Sequence, residues 1–195
     1  TGGGRGVGRA ISLAFAQEGA NVVVNYAGNH KTANEVVEMI TKMGGKAIAV
    51  QGRVEVKADA EKTVQAAIDA FGAVHILINN AGVTNPAMLN KMTEEQWDEI
   101  VDIHMKGPFL LIQAAYKCFK AQNYGRIVNV TSVAGVVGTK GQVQYSAAKG
   151  GIISFTKSVA RELAGIGVTC NVISLGIVST DMTEKITTDP KLKDI

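Results

Sequence analysis

Five short runs rich in valine and isoleucine recur along this chain, at 21–26, 46–51, 74–79, 125–132 and 168–174. They alternate with longer stretches of helical periodicity. Runs without strict polar alternation suit strands buried on both faces. Helices are predicted over 6–19, 31–43, 57–71, 93–122 and 143–165. Glycines stand where these helices end, as at Gly19, Gly44, Gly72 and Gly165, because a helix C-terminus favours a left-handed residue. Thr93 with Gln96 three positions on has capping-box spacing. Strand–helix–strand repetition of this kind builds a doubly wound parallel α/β sheet, Rossmann-like, with right-handed crossovers. Its ligands sit beyond the carboxyl ends of the strands. The chain of 195 residues reads as one domain. Residues 175–195 are more polar and lack a clear pattern, which suits a substrate flap.

Composition excludes several classes of function. Twenty basic residues against seventeen acidic ones give a net charge of +3, with no basic cluster, so no nucleic-acid partner is expected. No apolar run reaches the roughly 18 residues that span a bilayer, so no membrane partner is expected. Cys118 and Cys170 are far apart and form no CxxC pair, which predicts a reduced, cytoplasmic protein. His30, His75 and His104 are scattered without ligand spacing, so no metal site is expected. The sequence opens at Thr1 directly on a glycine loop, which in such folds follows a strand. The expectation is that the sheet's first and last strands lie outside this sequence.

The loop itself, TGGGRGVG, carries Gly2, Gly3, Gly6 and Gly8 and leads into the first helix. Glycines let a backbone turn sharply and approach a ligand closely. A helix N-terminus offers unpaired N–H groups and partial positive charge to a pyrophosphate. The second run ends in neutral Asn25 and Tyr26 rather than in the acidic residue that would bind a ribose 2′-hydroxyl. No carboxylate there would repel a 2′-phosphate, and Arg5 is a cation able to pair with one. The pattern favours NADP(H) as cofactor, with NAD(H) as the alternative.

Tyr145 precedes Lys149 by four residues, one helical turn, among small residues from Ser146 to Gly151. A phenol with a pKa near 10 exchanges protons poorly at neutral pH. A neighbouring ammonium in a partly desolvated site lowers that value. Ser132 ends the fourth run, on the ligand side of the sheet, where a hydroxyl can donate to a carbonyl gaining charge.

Four motifs in order now carry a resemblance. They are TGxxxGxG (Thr1, Gly2, Gly6, Gly8), NNAG (Asn79, Asn80, Ala81, Gly82), Ser132, and YxxxK (Tyr145, Lys149). Over nearly its whole length the chain resembles the short-chain dehydrogenase/reductase family. The resemblance implies an NAD(P)-dependent oxidoreductase, commonly a homotetramer built on the helices 93–122 and 143–165. Tyr145 is then the acid/base, Lys149 holds the nicotinamide ribose and depresses the tyrosine's pKa, and Ser132 positions the substrate oxygen. Asn80, Ala81 and Gly82 form a wall beside the adenosine ribose, and Val178 and Thr180 contact the nicotinamide amide. Within the family, NYAGN and the loop arginine are similar to the branch that reduces 3-oxoacyl thioesters on acyl carrier protein with NADPH, in fatty acid biosynthesis. An NAD-dependent secondary-alcohol or hydroxyacyl-CoA dehydrogenase is the alternative within the same chemistry. A catalytically weak nucleotide-binding scaffold or redox sensor is the alternative outside it.

Three residues depart from the family pattern. His104 stands where asparagine is usual, at a position whose backbone carbonyl holds a relay water. Pro108, four residues on, has no N–H to occupy that carbonyl, so the relay is expected to survive, or else His104 is a packed core residue. Arg53 replaces an acidic residue that accepts from adenine, and arginine cannot accept; either adenine is held differently or Arg53 lends charge to the phosphate side. Leu175 replaces a proline before Gly176, which alters the nicotinamide loop.

Overall fold

The computed structural model describes residues 1–181 and residue 183. Most of the flap expected over 175–195 lies outside the described residues. Strands are β1 (Val22–Tyr26), β2 (Ala47–Gln51), β3 (Ile76–Asn79), β4 (Gly125–Ser132) and β5 (Val168–Leu175). Each falls within a residue or two of its Val/Ile run. All the strand pairs are parallel, β1 with β2, β3 with β4, and β4 with β5. Among the described residues two sheets result, β1-β2 and β3-β4-β5. A cavity of about 390 Å³ lies between β1 and β3, lined by Val22, Val23, Ile76 and Ile78. That gap is where the sequence led us to expect a further strand.

The helices are α1 (Gly6–Gln17), α2 (His30–Lys42), α3 (Lys57–Phe71), α4 (Glu94–Val101), α5 (Gly107–Gln122), α6 (Ala134–Val137) and α7 (Val143–Leu163). α4 starts with the predicted capping box: Thr93 accepts from the Gln96 N–H, and Gln96 accepts from the Thr93 N–H. The single helix predicted over 93–122 is a correction. A π-turn over Asp102–Lys106 divides it, and the Gly107 N–H reaches back five residues to the Asp102 carbonyl. Pro108 explains the break, since it removes the N–H that a continuous α-helix needs there.

Two apolar clusters support the sheet. One joins α1, β1 and α2 through Ala16, Val24, Ala33, Val36 and Ile40. The larger joins α3, α5, α7 and the strands β3–β5, through Val64, Leu77, Leu111, Ala115, Phe119 and Ile127. A polar line crosses beside it. The Asn79 amide donates to Asn129 (2.8 Å), Asn129 donates to Thr156 (2.9 Å), and Thr156 donates to the Ile152 carbonyl (2.6 Å). This line binds β3 and β4 to α7, the helix that carries Tyr145 and Lys149.

Phe119 is fully buried in the larger cluster. Phe119→Ala is expected to lower the unfolding free energy by about 3–5 kcal/mol, read from urea denaturation, with the site residues unchanged in identity and register.

Candidate active site

One cavity of about 560 Å³ runs across the carboxyl ends of the strands, from the glycine loop to Ser132, Tyr145 and Lys149. Of the predicted residues, Gly2, Arg5, Gly6, Gly8, Asn25, Asn80, Ala81, Gly82, His104, Val178 and Thr180 also line it. Gly3 does not. It is buried behind the loop, and its N–H donates to the Asn25 carbonyl (3.0 Å).

The loop end is shaped for close backbone approach. A Cβ on Gly8 would stand 2.1 Å from the Gly2 carbonyl oxygen, so only glycine allows this fold of the loop. Thr1 and Asn80 lock it to the end of β3. The Thr1 hydroxyl accepts from the N–H groups of Asn80 and Ala81 (3.0 Å each), and the Asn80 amide donates to the Thr1 carbonyl (2.9 Å). Arg5 is the N-cap of α1 and makes no side-chain cap bond. The first N–H groups of α1 are thus left for a ligand, as an anionic pyrophosphate requires. Across the loop, the Thr180 methyl lies 3.4 Å from where a Gly6 Cβ would be, so the 178–180 segment covers the glycines. These residues fit a dinucleotide.

Among the described residues three cations line the cavity: Arg5, Arg53 and Lys149. Arg53 is committed to Glu55 through both Nε (2.7 Å) and a terminal nitrogen (2.6 Å). Arg5 is exposed, with no ion-pair partner among the described residues. Asn25 is turned inward, donating to the Gly52 carbonyl (2.9 Å) and to Thr63 (3.3 Å). Its amide joins the ends of β1 and β2.

At the other end, Ser132 closes β4 opposite Leu175, the last residue of β5. Leu175 continues the strand pairing, and its carbonyl accepts from the Val133 N–H (3.2 Å). Lys149 is 5% exposed and its Nζ donates to the Val130 carbonyl (2.7 Å). The Thr131 hydroxyl donates to the Lys149 carbonyl (2.5 Å). Burial pushes the Lys149 ammonium down to about 8. The Lys149 Nζ stands 5.7 Å from the centre of the Tyr145 ring. Burial raises the Tyr145 phenol, and the Ser132 hydroxyl pulls it part of the way back. With desolvation the larger of the two effects, the phenol stands above its ordinary value in this structure.

His104 sits in the π-turn, 4% exposed. Its ring meets Tyr145 edge-on, with centroids 5.2 Å apart. Nε2 lies 2.9 Å from the Val83 carbonyl oxygen and 3.2 Å from the Val83 nitrogen. A Cβ on Gly82 would stand 2.4 Å from His104 Cε1, so Gly82 makes room for the imidazole. Burial and the nearby Lys149 charge bring His104 down to about 3, so the ring is neutral. Sequence reasoning missed the partners that are backbone atoms or small hydroxyls: the carbonyls of Val130 and Val83, and Thr131. It also missed the Gln144 amide, which donates to the Asn85 carbonyl (2.7 Å) at the start of α7.

A dinucleotide cradle at one end of a cavity and a serine, tyrosine and lysine at the other define an oxidoreductase of the short-chain class. The short chain dehydrogenase family matches residues 1–191, and the chain belongs to that family of NAD(P)-dependent oxidoreductases. The 3-oxoacyl-[acyl-carrier-protein] reductase of Synechocystis is 45% identical over all 195 residues, which span 79% of that relative. The enzyme of the same name from Staphylococcus aureus is 41% identical over 191 residues, 98% of this chain and 78% of its own. Among solved structures, a gluconate 5-dehydrogenase from Burkholderia cenocepacia, in complex with NADP and tartrate, superposes with a TM-score of 0.93. It is 26% identical, covering all of this chain and 76% of its own. A short chain dehydrogenase from Mycobacterium avium superposes at 0.86 with 38% identity, over 90% of this chain and 65% of its own. No helix among the described residues is long and apolar enough to cross a membrane.

The buried ammonium has a stability consequence. Below about pH 8 Lys149 is charged both folded and unfolded, so its burial cost is fully present. Between about 8 and 10.5 the unfolded chain alone holds the proton, and stability rises with pH. Lys149→Met is expected to raise the unfolding free energy at pH 7 by about 1–3 kcal/mol. The gain should disappear as pH approaches 10.5, as followed by chemical denaturation across that range.

Proposed function

We propose that this chain is an NADPH-dependent reductase of 3-oxoacyl thioesters. The carrying observation is the continuous cavity that joins the open N-terminus of α1 and Arg5 to Ser132, Tyr145 and Lys149. The names of the relatives support the substrate class. Arg5, with no ion-pair partner among the described residues and beside neutral Asn25 and Tyr26, supports the phosphorylated cofactor. The exposed apolar side chains of Met88, Leu89, Val136 and Val137 suit contact with an acyl chain. The Ala87 N–H, beside Met88, donates to the Gly141 carbonyl (2.9 Å).

Gly2, Gly6 and Gly8 would hold the pyrophosphate and Arg5 the 2′-phosphate, with Asn80, Ala81 and Gly82 along the adenosine ribose and Val178 and Thr180 at the nicotinamide end. The bound cofactor supplies a hydride to the carbonyl carbon. Ser132 donates a hydrogen bond to the carbonyl oxygen as negative charge grows there. The Tyr145 O–H bond breaks and its proton passes to that oxygen, giving the alcohol. The Lys149 ammonium favours the phenolate left behind. The His104 carbonyl, with Pro108 and so no N–H four residues on, would hold water on the path by which the tyrosine is reprotonated. Exposed Trp97, Phe109 and Tyr116 on α4 and α5 support assembly of copies through that face, as a homotetramer.

The test follows NADPH oxidation with an acetoacetyl thioester. Tyr145→Phe should reduce turnover at least about 100-fold while NADPH still binds, as read by its fluorescence. Undiminished turnover would remove the proposal, and binding without turnover by the unaltered chain would favour a scaffold. Arg5→Ala should weaken NADPH binding by about tenfold and leave NADH binding unchanged. An equal loss for both cofactors would remove the 2′-phosphate role, and tighter NADH binding would favour a dehydrogenase.

A further inference from the structure

Within that reading, which it presupposes, the imidazole of His104 has a task of its own, separate from its backbone carbonyl. Three observations carry it. Nδ1 is buried without a hydrogen-bond partner among the described residues, and its ring belongs to the wall of the cavity that holds Tyr145 and Lys149. A buried polar atom left so costs about 1–3 kcal/mol unless water or ligand meets it. Nε2, by contrast, is within reach of both the carbonyl and the N–H of Val83. One residue therefore satisfies either neutral tautomer: Nε2–H donates to the Val83 carbonyl, or bare Nε2 accepts from the Val83 N–H. Finally, the ring lies edge-on to Tyr145 and is fixed there by Gly82, whose missing side chain it overlaps.

We propose that His104 is a positioning residue for the Tyr145 proton, using a neutral ring whose Nδ1 presents a lone pair or an N–H as Tyr145 is protonated or ionised. On ionisation the ring changes tautomer: its one proton leaves Nε2 for water and water returns one to Nδ1, so the ring stays uncharged beside Lys149 and bare Nε2 accepts from the Val83 N–H. An N–H at Nδ1, directly or through a water, then stabilises the phenolate. A permanent cation in that position would repel the Lys149 ammonium, and a carbon ring would offer the phenolate nothing. The ionisable groups facing this ring are Tyr145 and Lys149 from α7. Glu99 of α4 lines the same cavity and accepts from the Asn85 amide (2.8 Å). On the π-turn itself Asp102 is paired with Lys106 (3.2 Å).

The side-chain amides of asparagine and glutamine separate the two nitrogens. Asparagine places a polar atom where Nδ1 stands, and glutamine reaches to where Nε2 meets Val83. The readout is the ionisation of Tyr145 in NADP⁺-bound protein, from phenolate absorbance after subtraction of Tyr145→Phe, so it does not depend on turnover. His104→Phe should lower the Tyr145 ionisation constant by about tenfold and move the alkaline limb of ketone reduction upward in pH. His104→Asn should restore both, and His104→Gln should behave as the phenylalanine variant does. An unchanged ionisation in His104→Phe overturns the inference. So does restoration by glutamine but not asparagine, which would leave His104 as an anchor for Val83. Should the phenylalanine variant fail to fold, the asparagine and glutamine pair alone decides. Loss of activity in the unaltered chain, with the ionisation pattern intact, would count against the reductase reading and not against this one.

Discussion

At the level of the site, helix α7 is fastened to strand β4 by polar groups. Lys149 donates to the Val130 carbonyl, Thr131 donates to the Lys149 carbonyl, and Asn129 donates to Thr156. Greasy packing alone would tolerate a small slide or roll of the helix. Directional bonds at three successive residues of β4 do not, because each has a narrow range of length and angle. Ser132 follows directly on that strand and Tyr145 lies one turn before Lys149 on that helix. The separation of serine and tyrosine is therefore set by the same bonds that bury the lysine. Holding reacting groups in fixed relation is itself a large part of catalysis.

The opposite end of the cavity is held by a different device. There the glycine loop has no side chains to pack, so it is oriented by Thr1 and Asn80. The Arg53–Glu55 pair occupies the rim near the end of β2, whereas Arg5 has no ion-pair partner among the described residues. Two of the departures from the family pattern thus settle into consistent surroundings. Arg53 has a carboxylate of its own, and Leu175 extends β5 alongside Ser132.

Much of this was legible in the sequence, for identifiable reasons. Val/Ile runs gave the strands because burial on both faces leaves no room for polar alternation. Thr93 and Gln96 announced the start of α4 because capping is a local interaction. Tyr145, Lys149 and Ser132 were visible through spacing and strand position. What escaped was nonlocal or made of backbone. The Val130 and Val83 carbonyls carry no residue-type signal. The inward turn of Asn25 depends on Gly52 and Thr63 from other elements. The protonation balance of Tyr145 depends on burial, which no spacing reports. Pro108 did signal trouble in the long helix, but a kink and a π-turn share that signal.

The π-turn also acts on the outside of the molecule. Each residue of an α-helix advances about 100° around its axis, so in an unbroken helix Trp97 and Phe109 would point about 120° apart. The turn takes up one surplus residue. That brings Trp97, Phe109 and Tyr116, all exposed, to within about 20° of one line. The same surplus residue belongs to the segment that carries His104 inward. A single irregularity thus phases an aromatic ridge on the surface with the imidazole in the interior, and restoring helical regularity would disturb both at once.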